Sequence, residues 1–242
     1  MDNLPLLVLA SCYDATAKSL VSRWSDFGAK LLTCEDLSKI GWQQFQDSNK
    51  ISTAVVDGKI VPTEEIRGVL VRLPFVMEQD LFHIVPEDRD YVAAEMTSFL
   101  LYWLDTLKCP VINKPTSACL CGPNWRYEQW IHAASKVGMK IEPVKRHVAF
   151  ANSESNILNP NSYVKVTVVG EKCFGQVDDM LANQAKLLAK TAGVDLLCVR
   201  FSGSGNDSFF VGADLVLEKI EDNVADAILQ CLVQDKIDGD MK

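Results

Sequence analysis

No run of lysine and arginine interrupts this chain: 24 basic residues stand against 32 acidic ones, for a formal charge of -8. A phosphate backbone would approach such a chain against net repulsion, so nucleic acid is not an expected partner. Long apolar runs are missing as well. The opening MDNLPLLVLAS carries an acid where an export signal needs positive charge, and its run LPLLVLA is too short to cross a bilayer, so no membrane partner is expected. The eight cysteines, at 12, 34, 109, 119, 121, 173, 198 and 231, lack regular spacing and sit mostly in apolar segments. That pattern argues against a disulfide framework and for buried thiols in a reducing cytoplasm. Neither internal repeats nor low-complexity stretches occur, and with 48% hydrophobic and 23% charged residues the 242-residue chain has the makeup of an ordinary globule with a real core.

Glycine is missing where a dinucleotide would need it. LPLLVLAS reads as a strand, Asp14 as the cap of a helix running to about Phe27, and AKLLTC as the next strand. This β-α-β unit favours a parallel sheet, but its first turn, SCYDAT, has no glycine. The phosphate-binding fingerprint is therefore absent, and the opening is Rossmann-like in shape only. A second glycine-rich candidate, Ser202-Gly203-Ser204-Gly205-Asn206, lacks the Lys-Ser/Thr of a phosphate loop and joins two strand-like segments, so it reads as a hairpin loop.

What is present is an α/β pattern. ISTAVVDGKIVPT holds two β-rich runs around Asp57-Gly58, a hairpin signal. The strand GVLVRLPF follows, and then a long helix from Pro86 that places Val92, Met96, Phe99, Leu100, Trp103, Leu104 and Leu107 on one face before the strand PVIN. Beyond Pro115 come the loop TSACLCGP, a helix NWRYEQWIHAASKVG stopped by Gly138, and the strand MKIEPV. SYVKVTVVGEKCFGQ alternates as a strand turned back at Gly170-Glu171-Lys172. Asp178 or Asp179 caps a helix whose stripe is Leu181, Ala185, Leu188 and Ala192, ended by Gly193. VDLLCVRF and SFFVGADLVLE read as strands and DNVADAILQCLVQ as a closing helix, with 152–162 as a linker and DKIDGDMK as a solvated tail.

In this order the pieces resemble the ATP-grasp superfamily, and within it the RimK-like ligases and the ligases of graspetide pathways. VLVRLP, DRDYVAAEM, PVINKPTS, the GPNWRYEQW helix and KVGMKIEP are similar to the pre-ATP-grasp half and the step into the nucleotide-binding part. YVKVTVVGEKCFG and ANQAKLLAKTAGVDLLCVRF are similar to the family's late strand and helix. The resemblance implies a Rossmann-like pre-ATP-grasp α/β domain, 1–114, followed by a truncated ATP-grasp-like α+β domain, 115–242. It also marks departures. The family's lysine-bearing antiparallel layer has only residues 144–162, polar loop-like text, in which to fit. Its magnesium ligands, an Asp, a Glu and an Asn, align with Arg200, Gly212 and Asp214. The resemblance thus implies a degenerate, shortened member with no metal site of its own, in which an anion rather than Mg²⁺ suits Arg200.

Eight residues are candidates for ligand binding. Arg72 and the Asn113-Lys114 pair end strands, where open α/β sheets line their crevices; the plainer alternative pairs Arg72 with an acid of Asp88-Arg89-Asp90 and leaves Lys114 solvated. Arg126 and Gln129, with Trp125, fall in the first turns of a helix, where N–H groups and a guanidinium meet anions; the plainer reading packs Trp125 and Trp130 onto the sheet. Lys165, with Thr167, lies on the solvent or cleft face of its strand, and Asp214 and Glu218 are the acids nearest the former metal position; the plainer reading makes any of them ordinary surface. Cys119-x-Cys121 has thiols spaced to share a soft metal or electrons, against the alternative of buried loop thiols; His83, His132 and His147 are isolated. The expected function is a non-catalytic ATP-grasp-like protein, with no cofactor, that binds a small anionic metabolite, a peptide or a partner enzyme in the cleft between its halves and forms a homodimer. The alternative is an ATP-dependent carboxylate-amine ligase subunit, using ATP and Mg²⁺, active only within a hetero-oligomer.

Overall fold

The computed structural model describes residues 4–46, 49–142 and 163–233. The stretch 143–162, which carries the linker and the place of the family's lysine-bearing layer, lies outside the described residues, as do His147 and the tail.

The chain begins with β1 (Leu6–Leu9), α1 (Ala15–Arg23) and β2 (Ala29–Leu32), the β-α-β unit read from sequence. Asp14 caps α1 by accepting from the Ala17 N–H at 2.9 Å. The helix stops at Arg23, short of Phe27; a 3-10 turn over Ser25–Phe27 and Gly28 at φ 74° complete the reversal. A short α2 (Cys34–Leu37) leads to the hairpin β3 (Thr53–Val56) and β4 (Lys59–Pro62). Asp57 and Gly58, at φ 53° and 70°, make its turn with both central residues left-handed, as an Asp-Gly hairpin requires. β5 (Gly68–Val71), α3 (Arg89–Thr106) and β6 (Val111–Ile112) follow.

β2, β1, β5 and β6 form a four-stranded sheet in that order, every pair parallel. β1 and β5 are buried at every position, the expectation for a parallel sheet covered on both faces. The α3 face behaves as its periodicity predicts: Leu100, Trp103 and Leu104 are buried, while Val92, Met96, Phe99 and Leu107 pack at the margin of the same core. Trp42 stands edge-on to Phe99 and Trp103, with centroids 5.3 and 5.4 Å away.

A second sheet is built from α4 (Tyr127–Lys136), β7 (Lys140–Ile141), β8 (Val164–Val169), β9 (Lys172–Phe174), α5 (Asp179–Ala192), β10 (Leu196–Phe201) and β11 (Phe209–Asp214). Its order is β7-β11-β10-β8-β9, antiparallel except for the β11-β7 pair. Gly170, at φ 55°, turns β8 into β9, and 202–208 is the hairpin loop between β10 and β11. The α5 stripe lays Leu181, Ala185 and Leu188 toward the sheet, and Gly193 at φ 67° ends the helix. β11 stops at Asp214, so the strand pattern read through Glu218 is overextended by four residues.

The chain closes with α6 (Asp222–Val233). The compact units are Met1–Asn124 with Leu215–Lys242, and Trp125–Asp214, so the closing helix belongs to the same unit as the opening strand. Two contacts show why it returns. Arg23 on α1 pairs with Asp222 at 2.7 Å and Asp226 at 2.9 Å. At Gly68 of β5, a Cβ would stand 2.7 Å from the Leu232 carbonyl oxygen, so the bare glycine lets the helix backbone meet the strand. Gly68→Ala is expected to destabilise the protein by about 1–3 kcal/mol, since a rigid backbone atom would have to move. Urea unfolding measures this, and a variant as stable as the parent would show that α6 does not depend on that approach.

Candidate functional site

Arg72 directly follows β5 and is 6% exposed, a cation held inside the first unit. Its Nε donates to Asp14 Oδ2 at 2.8 Å, and its Nη2 donates to Asp14 Oδ1 at 3.3 Å and to the Leu217 carbonyl at 3.0 Å. The partner read from sequence, an acid of the Asp88-Arg89-Asp90 run, is thereby corrected. β1 and β5 are neighbours in the sheet, so the turn after β1, where Asp14 lies, is beside the end of β5. Asp14 performs two tasks at once, capping α1 and neutralising Arg72. Arg72 Nη1 is buried and has no hydrogen-bond partner. Asn113, after the adjacent strand β6, is also buried, while Lys114 beyond it is exposed.

In the second unit the helix expected to contain Trp125 and Arg126 begins later. Tyr127 is its first residue, and Arg126 is the N-cap at φ -70° and ψ 162°. Trp125 and Arg126 therefore precede the helix because Gln129 reaches back to cap it: its Oε1 accepts from the Arg126 N–H at 2.9 Å. Arg126 and Gln129 are both exposed. Trp130 is buried and Trp125 packs against it edge-on with centroids 4.8 Å apart, in line with the packing reading of the tryptophans. Gln129 also lines an open groove of about 420 Å³ with Trp125, Glu128, His132, Ala133, Lys136 and Thr191.

The sheet brings Lys165, Arg200 and Asp214 together. Pairing sets Arg200 of β10 opposite Lys165 on β8 and Gly212 on β11, and sets Cys198 opposite Thr167 and Asp214. Because side chains alternate along a strand, all six share one face, with Val166, Val168, Leu197 and Val199 on the other. Arg200 Nε lies 3.3 Å from Asp214 Oδ2, though without the alignment of a hydrogen bond. The Arg200 side chain is 36% exposed and that of Asp214 44%. Gly212 makes room for the guanidinium: a Cβ there would meet Arg200 Nη2 at 2.6 Å. Cys198, buried on the same face, has its thiol pushed up by burial and by the charge of Asp214. Glu218, the other acid singled out, belongs to the first unit, where its carbonyl accepts from the Thr16 hydroxyl at 2.5 Å.

No family model matches this chain, and no curated protein matches it in sequence. Solved structures do. A RiPP-associated ATP-grasp ligase of Chryseobacterium gregarium, in complex with ADP and a leader and core peptide, is 14% identical with a TM-score of 0.66, over 94% of this chain and 96% of that one. The fold is that of the ATP-grasp ligases. The macrocyclase MdnC of Microcystis aeruginosa MRC, bound with precursor peptide MdnA, is 12% identical at a TM-score of 0.68, over 95% and 99%. The RimK domain ATP-grasp protein of Sphaerobacter thermophilus DSM 20745 is 12% identical at 0.51, over 95% and 98%. One ATP-grasp ligase of this group, PsnB, is complexed with Mg and ADP.

The ATP-grasp fold raises the question of magnesium. A hard dication needs several oxygen ligands, and Arg200, Gly212 and Asp214, the positions that the resemblance sets against the family's donors, offer one carboxylate, already 3.3 Å from a guanidinium nitrogen. Among the described residues no group of three or more His, Cys, Asp or Glu side chains is placed to hold a metal ion. These residues do not fit Mg²⁺. A guanidinium at this position instead repels a cation and attracts an anion.

Of the sequence-read residues, Arg72 is thus tied up in an internal pair, whereas Lys165, Arg200 and Asp214 form one array. Asp14 was missed as an ion partner, although its place after the strand next to β5 was the available signal. Asp14→Asn keeps an N-cap acceptor for α1 but leaves Arg72 buried without its counter-charge. The expected cost is roughly 2–4 kcal/mol, below that of a fully enclosed pair because Asp14 is 18% exposed. Denaturant unfolding checks this; a loss under about 0.5 kcal/mol would place the main support of Arg72 elsewhere.

Proposed function

We propose that this ATP-grasp-like protein is non-catalytic and binds an acidic peptide or small anionic ligand on the sheet face that carries Arg200 and Lys165. The observation that carries the reading is Arg200 lying across Gly212, against Asp214; the sequence resemblance sets these positions against the metal ligands of ATP-grasp ligases. Carboxylate activation by ATP needs a positioned triphosphate, a metal to spread its charge and basic groups at the transferred phosphoryl. A chain without the metal cage loses the second of these. What the face retains is a cationic array: Arg200 and the exposed Lys165 opposite it outnumber the one carboxylate of Asp214.

The guanidinium has five donors in a planar fork, which matches the geometry of an incoming carboxylate. A peptide is the favoured ligand class because two neighbours of this fold were solved with one bound. A second reading is an ATP-dependent carboxylate-amine ligase subunit, using ATP and Mg²⁺ and active only within a hetero-oligomer; the ligases among the neighbours, one of them solved with Mg and ADP, support its ligase part. ADP release that requires a second protein would favour it over the first reading.

Fluorescence anisotropy with labelled oligoglutamate and oligolysine peptides tests the binding face. The acidic peptide is expected to bind and the basic one not, with binding weakened by salt. Arg200→Ala should cost roughly tenfold or more in affinity, since a hydrogen bond to a charged group contributes about 1.5–3 kcal/mol. Gly212→Ala should weaken the same binding by displacing the guanidinium, with little loss of stability because only the end of a flexible side chain must move. Equal affinity for both peptides, or an Arg200→Ala variant that binds like the parent, would remove the anion site.

A further inference from the structure

Cys119 and Cys121 take no part in the function proposed above. They lie in the core of the first unit, 4% and 2% exposed, flanking the fully buried Leu120. Backbone contacts fix this short segment. Thr116 N–H donates to the Cys119 carbonyl at 2.9 Å, Cys119 N–H donates to the Thr116 carbonyl at 3.2 Å, and Leu120 N–H donates to the Pro74 carbonyl at 2.9 Å. The backbone turns through Leu120 and Cys121, and the two Sγ atoms are 3.6 Å apart. A disulfide bond is about 2.0 Å long, so the sulfurs already stand at thiol–thiolate hydrogen-bonding distance and need only a short approach to bond.

The electrostatics favour one thiolate in the pair. The Cys119 thiol is lowered to about 7 because the Cys121 S–H donates to its thiolate, which outweighs burial. Cys121 is pushed up by making that bond and by burial, with the Arg72 charge working in the opposite sense. Arg72 brings a buried, unpartnered Nη1 to this neighbourhood. The other buried thiols differ: Cys34 is pushed up to about 12 by burial and the nearby Asp80, and Cys198 is raised as well. A nucleophilic thiolate with a second thiol within reach is the arrangement of a redox pair.

We propose that Cys119 and Cys121 are a redox-active dithiol that a peroxide converts to an intramolecular disulfide. The Cys119 thiolate attacks one peroxide oxygen and the O–O bond breaks, leaving a sulfenic acid on Cys119 and a hydroxide that takes a proton to become water. The Cys121 sulfur then attacks the Cys119 sulfur, its proton and the departing hydroxyl leaving as a second water. Two thiols and one hydrogen peroxide become one disulfide and two waters; the sulfurs lose two electrons and the peroxide oxygens gain them. Residues 116–118, leading into the pair, are exposed, so entry of so small an oxidant requires only local opening of this turn.

The test uses the full chain treated with equimolar hydrogen peroxide, followed by denaturing alkylation and peptide mass analysis. The peptide carrying both residues is expected to lose two hydrogens, escape alkylation and recover with dithiothreitol, while Cys34 and Cys198 remain alkylatable. In Cys121→Ser, Cys119 should stop at a sulfenic acid that dimedone traps. In the untreated protein, the pH dependence of Cys119 alkylation should have its midpoint near 7 and move upward in Cys121→Ser. A pair that stays reduced while other cysteines oxidise, or an alkylation midpoint that ignores residue 121, overturns the proposal.

Discussion

Arg200 needs bare backbone opposite it, and one face of the second sheet is arranged around that need: a Cβ at Gly212 would stand 2.6 Å from the guanidinium Nη2. Arg200 sits on the strand whose partner offers glycine, not a side chain, at the opposing position, and a carboxylate two residues on. Replace the glycine by anything larger and the guanidinium loses its bed. Replace the arginine by an acid and Asp214 loses its counter-charge. The three residues fit together as a guanidinium laid over a glycine beside one carboxylate.

The first unit handles its own arginine in the opposite way. Arg72 is enclosed, and two of its three nitrogens are spent on Asp14 and a carbonyl. It joins the start of α1, the end of β5 and the segment before α6. Such a pair is weak evidence for net stability, because desolvating both charges offsets much of their attraction, yet losing one partner is costly. Its role is therefore best described as specifying where the segment before α6 meets the sheet, whereas Arg200 stays more open. Two arginines at the ends of central strands have thus been assigned different work by burial and by the placement of a single carboxylate.

Local patterns carried the elements. The β-α-β opening, the Asp57-Gly58 turn, the α3 face and the α5 stripe with its Gly193 stop were all readable because each depends on residues a few positions apart. The order of those pieces carried the fold. What sequence could not show was long-range. Arg72 and Leu217 are joined across 145 positions, and Gly68 and Leu232 meet only once α6 has come back. The late start of α4 was missed because the capping side chain, Gln129, lies inside the helix it caps, and the pattern of apolar residues gives no hint of that hydrogen bond. The Arg200-Gly212-Asp214 array was foreseen in its residues through family resemblance, but the steric need for glycine emerged only from strand register. Cys119 and Cys121 were noticed as a pair, while their 3.6 Å approach depends on the bridge between Thr116 and Cys119.

On the proposed function, Arg200 offers an anion-attracting guanidinium where the resemblance sets a ligase's magnesium. Calorimetric titration of the full chain with ATP, with and without Mg²⁺, addresses it most directly. The account predicts no metal-dependent nucleotide binding by the protein alone. Tight ATP binding that appears only when Mg²⁺ is added would contradict it.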